Sequence, residues 1–98
     1  MLIARIVGSA VATAKCERLK ARKLLVVQEA TVQNELKKDT TPFVAVDAVG
    51  AGEGELVLVA IGSSGRFTDM TDQAPVDATI VGILDSLEVD GRDTFRKS

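Results

Sequence analysis

Apolar positions in this chain gather into short runs rich in Val, Ile, Leu and Ala, and most runs end at or within two residues of a glycine or a charged residue. Such runs, dense in β-branched residues and bounded by turn formers, predict strands. Residues 2–13 read as one long strand bent at Gly8, since a glycine inside a strand marks a bulge or corner. Further strands are predicted over 23–29, 43–46, 55–61 and 78–89, the last with Gly82 as a second bend. Residues 14–22 and 36–42 are polar connections, and Pro42 favours an extended Thr41 before it. Residues 67–77 form a polar excursion with room for a short helical turn. The segment from about 86 to 98 ends in charge and can fold back as a C-terminal arm or hairpin. The expectation is a single all-β domain over 1–98: a small closed antiparallel barrel, OB-like, of five to six strands.

Two of these strands are apolar on both alternating faces. In 56–61 (LVLVAI) and 78–84 (ATIVGIL) neither face has the polar set that water would require. An antiparallel sheet with one wet side alternates cleanly, so a doubly apolar strand calls for a cover on its outer face. A neighbouring subunit is the economical cover, which makes Val59 and Ile83 candidate interface positions.

Composition narrows the function. The 98 residues make one domain with a modest private core, and 46% are hydrophobic although only three are aromatic. The chain has no histidine and a single cysteine, Cys16. Ser-His-Asp and Cys-His nucleophiles, CxxC zinc sites and a disulfide framework are thereby excluded, so no catalytic, cofactor-binding or metal residue is assigned. The longest apolar run, 56–61, falls far short of the roughly 20 residues that span a bilayer as a helix. The start lacks the pattern of a secretory leader, so the expected setting is the cytoplasm, without membrane association.

Three motifs have competing readings. Gly50, Gly52 and Gly54 alternate like a phosphate cradle, but a β run follows where a dinucleotide fingerprint needs a helix N-terminus, so the glycines read as a tight connection. Asp47, Asp77 and Asp85 lie near strand ends, where aspartates usually accept from turn amides, and their spacing fits no calcium loop. The basic cluster Arg18, Lys20, Arg22 and Lys23 is the argument for an OB-fold module that binds single-stranded nucleic acid. Against it stand the absence of Tyr and Trp as stacking platforms and a net charge of -2. An unrecognised small enzyme is the third class, and the Gly62-Ser63-Ser64-Gly65-Arg66 loop offers it a serine without a general base.

The runs VAVDAVGAGEGELVLVAIGSSGR (44–66) and PVDATIVGILD (75–85), with VAT at 11–13, Lys15 and KLLVVQ at 23–28, resemble the pentameric vertex proteins of bacterial microcompartment shells, the EutN/CcmL family of carboxysomes and metabolosomes. Most of the chain takes part; 29–43 and the tail after 85 are individual, and Gly65 stands where the family commonly has alanine. The resemblance implies a homopentameric structural protein, not an enzyme, that caps shell vertices beside hexameric shell proteins in the cytoplasm. It also implies that Gly62, Ser63, Ser64 and Gly65 line a narrow five-fold opening. Arg66, whose planar fork suits a carboxylate or carbonyls, and Asp77, at the entry to the last strand, then belong to the subunit interface.

Overall fold

The computed structural model describes residues 1–13, 22–62 and 78–97. Among them are seven strands and no helix: β1 (Leu2–Ala10), β2 (Lys23–Glu29), β3 (Phe43–Asp47), β4 (Leu56–Ile61), β5 (Ala78–Ile83), β6 (Ser86–Val89) and β7 (Arg92–Arg96). The first five close into a barrel in the order β1-β2-β3-β5-β4, and β6 and β7 form a separate two-stranded sheet. The expected helical turn within 67–77 lies outside the described residues.

The barrel is not wholly antiparallel. β3 and β5 run parallel through Val46↔Thr79 and Asp47↔Ile80. The reason is connectivity: β4 runs antiparallel to β5 and also pairs with β1, so β5 fills the remaining gap beside β3 in the same direction. The predicted last strand, 78–89, is two strands. The amide of Leu84 still donates to the carbonyl of Leu56 at 2.9 Å, after which the chain bends at Asp85 and leaves the barrel wall.

The core follows from strand alternation. Ala4 and Ile6 of β1, Leu25 and Val27 of β2, Ala45 of β3, Val57 and Val59 of β4, and Ala78 and Ile80 of β5 point inward and pack together. Each wholly enclosed Leu, Ile or Val contributes on the order of 1.5–3 kcal/mol. Alanines on three of the strands, Ala4, Ala45 and Ala78, let the walls approach closely.

Three register irregularities each insert one residue, and each re-aims a side chain. Val7 is extra on β1, between Ile6 paired with Val27 and Gly8 paired with Val26. Val81 is extra on β5, between Ile80 paired with Val59 and Gly82 paired with Leu58. Thr94 is extra on β7, and its hydroxyl donates to the Val32 carbonyl on the barrel side. The first two fall beside the glycines that the sequence marks as bends.

Candidate functional site: the barrel exterior and its clamps

Two carboxylates organise the loop from β3 to β4. Asp47 closes β3 with a side chain only 2% exposed, and its oxygens accept from the amides of Val49, Gly50 and Ala51, each at 3.0 Å. Lys23, across the barrel rim on β2, donates to the Ala51 carbonyl at 2.8 Å and sits 4.0 Å from Asp47. Gly50 and Gly54 adopt φ of 80° and 88°, which side-chain-bearing residues avoid. The Gly52 amide donates to Glu55 at 2.8 Å. These four loop amides are therefore held by the chain's own carboxylates, and the glycine run is a closed corner.

A second cluster fastens the β6-β7 hairpin to the barrel. Arg5, the only charge in β1, donates to the Gly54 carbonyl at 2.7 Å and to Asn34 Oδ1, and its guanidinium lies 5.9 Å from the Phe95 ring centre. Asn34 takes φ of 63°, a left-handed turn geometry that asparagine tolerates. Lys97 pairs with Glu55 at 2.9 Å, and its amide donates to the Asp85 carbonyl at 2.8 Å. The Lys97 ammonium, and secondarily the Gly52 amide, hold the Glu55 carboxyl below its ordinary range, and Glu55 in turn raises Lys97. Leu56, Leu84 and Phe95 line a small half-open hollow beneath this clamp.

These arrangements position backbone. Among the described residues no three His, Cys, Asp or Glu side chains gather into a metal site, and no buried side-chain polar atom lacks a hydrogen-bond partner.

The outer surface of the barrel is the more informative feature. Val7 and Val44 are 43% and 48% exposed, and Val26, paired with both Gly8 and Val44, joins them in one apolar row across β1, β2 and β3. On β5, Val81 is 43% exposed, beside Leu58, whose side chain lies against Gly82.

Of the positions singled out from sequence, Val59 is 0% exposed and belongs to the barrel core, so its side chain has no surface left to offer a neighbour. Ile83 is partly buried and packs against the core from the end of β5. Gly62 directly follows β4, whereas Ser63, Ser64, Gly65, Arg66 and Asp77 lie outside the described residues, as do Cys16, Arg18 and Lys20. Sequence reasoning missed Arg5 and the row on β1 to β3. Their signals were present as a lone charge inside an apolar strand and as LLVV in β2, doubly apolar like β4.

Comparison with known proteins meets this geometry with consistent relatives. The vertex protein GrpN of Rhodospirillum rubrum is 43% identical over 88 residues, covering 90% of this chain and 97% of its own. The vertex protein PduN of Salmonella typhimurium is 43% identical over 89 residues, covering 89% and 98%. Among solved structures, EutN from Escherichia coli superposes with a TM-score of 0.81 at 36% identity over 100% of both chains. The pentameric shell protein GrpN gives 0.75 at 39% identity over 91% of this chain and 99% of its own. The family model described as ethanolamine utilisation protein EutN/carboxysome matches residues 1–85, which is the whole barrel up to the bend at Asp85. With barrel, glycine corner and relatives in agreement, the chain belongs to the EutN/CcmL family.

Proposed function

We propose that this chain is a structural subunit that assembles as a homopentamer and occupies the vertices of a bacterial microcompartment shell in the cytoplasm. The observation that carries the reading is its 43% identity to a shell vertex protein across 97% of that protein's length, joined to a solved pentameric relative of the same fold. Its action is geometric. A sheet of hexagonal tiles closes into a polyhedron only where pentagons enter, so a five-fold unit whose edges match hexameric neighbours supplies the curvature. Those hexameric neighbours are the partners proposed for it, and no enzymatic step is assigned to the chain.

The barrel order supports the OB-like description, with the short parallel β3-β5 contact completing the closure. The single-stranded nucleic-acid alternative draws no support from GrpN and PduN, which are named as shell vertex proteins. We further assign the loop that leaves β4 through Gly62, Ser63, Ser64 and Gly65 to the five-fold opening, and Arg66 and Asp77 to subunit contacts, on the family pattern. Ile83, at the rim of the barrel, remains an assembly position in this reading.

The test is shell closure. Cells deleted for this gene and any paralogous vertex genes should still make hexamer sheets and cargo yet form elongated or open bodies by electron microscopy, and restoring the chain should recover compact closed ones. Normal closed shells in the complete deletion would refute the vertex role.

A further inference from the structure

Exposed valines with half-buried apolar neighbours form two groups on the barrel wall, and the topology sets them apart; Ile61, 47% exposed at the end of β4, belongs to neither. In the ring order β1-β2-β3-β5-β4, the row Val7, Val26 and Val44 is centred on β2. The pair Val81 and Leu58 lies on the β5-β4 seam, which in a five-membered ring is the side opposite β2. The hairpin covers neither, because its clamps reach Arg5, Val32, Glu55 and Asp85, close to the β1-β4 seam and the turn after β2.

Both groups also depend on a dedicated distortion. Val7 and Val81 are the two extra residues of the barrel's register irregularities, so regular pairing would not have placed them as they stand. Beside each stands a glycine, Gly8 or Gly82, against which the Val26 or Leu58 side chain lies within about 4 Å of where a Cβ would sit, in ordinary van der Waals contact. Two bulges that each turn a valine toward water at 43% exposure make sense when that water is displaced on assembly.

We infer that these opposite walls are the two halves of one head-to-tail subunit interface: the Val7/Val26/Val44 wall of one copy of this chain packs against the Val81/Leu58 wall of the next. The inference rests on the pentameric reading. A closed ring of identical chains requires it to use two different surfaces, one facing each neighbour, whereas a two-fold dimer would use one surface twice. One patch on each of two opposite walls meets that requirement, and dry contact excludes a charge from both.

The test uses Val44→Asp and Val81→Asp, at exposed positions where the barrel itself tolerates a carboxylate, read by native mass spectrometry, with circular dichroism to establish folding. Val32→Asp is the control, since Val32 is equally exposed at 47% but sits in the turn beneath the hairpin. Each wall variant should be a folded monomer, its association weakened on the order of a hundredfold or more by the desolvated charge, while Val32→Asp remains pentameric. The milder Val44→Thr and Val81→Thr, which keep shape and strand propensity, should show the same loss in lesser degree. Each blocked variant retains one intact wall, so a mixture of nitrogen-15-labelled Val44→Asp with unlabelled Val81→Asp should yield mixed dimers that grow no further. A folded wall variant that stays pentameric, a control that dissociates equally, or a mixture that remains monomeric overturns the inference. A wild-type chain that is not pentameric fails the reading beneath it instead.

Discussion

The barrel and the C-terminal hairpin are both antiparallel pairings of short strands, yet they are held by different forces. The barrel buries Ile6, Leu25, Val27, Val57, Val59 and Ile80 at no more than 1% exposure and has no free edge within its ring. The hairpin has two strands, no enclosed side chain, and a tether of polar contacts: Thr94 to the Val32 carbonyl, Lys97 to Glu55, and Arg5 against Phe95. A two-stranded sheet is marginal by itself in water, so the hairpin borrows its order from the barrel. The family model ends at residue 85, just before β6 begins, while the EutN structure superposes over the full length, hairpin included.

The sharpest way to break this contrast is to place the same charge in both regions. Val59→Asp puts a carboxylate in the barrel centre, costs several kcal/mol, and should abolish the folded state by circular dichroism. Leu87→Asp, in the half-buried middle of β6, should leave barrel melting nearly unchanged. Next in size is Asp47→Ala, which strips the acceptor from three loop amides and should lower stability by about 3 kcal/mol in urea titrations, since hydrogen bonds to a charged group are worth roughly 1.5–3 kcal/mol and the amides left behind are partly buried. Gly54→Ala meets no steric neighbour but must hold φ of 88°, so the loss should be only about 1–2 kcal/mol.

The smallest effect is the pH response of the arm. Glu55 is lowered from 4.5, so its contribution is present above that value and disappears as pH falls through the lowered one. Lys97 is raised from 10.5, so its contribution is present below that value and disappears as pH rises through the raised one. Between these limits the clamp is intact. Amide exchange in residues 86–97, measured by NMR, should quicken relative to the barrel on strong acidification, at high salt, or in Lys97→Ala, with barrel amides slow throughout.

Strand positions were legible where a single local signal decided them. β2 is bounded by charges and runs over the residues its pattern predicts, and Gly8 and Gly82 mark the two barrel irregularities. The parallel β3-β5 contact was not legible, because it joins strands separated by β4 and no local periodicity encodes that closure. Val59 shows another limit. Alternation tells which residues share a face but not which face is inside, so in a doubly apolar strand Val59 and Leu58 look equivalent until the barrel places Val59 in its centre. Asp47 carried a recognisable strand-end signal, whereas the Glu55–Lys97 clamp spans 42 residues and appears only when the arm folds back.

The central claim is five-fold assembly, and native mass spectrometry of the wild-type chain at micromolar concentration tests it most directly. A single dominant species of five chain masses, stable to moderate dilution, is the expected result. A monomer or dimer would contradict it, and so would six, because a six-fold unit tiles a flat sheet and supplies no vertex.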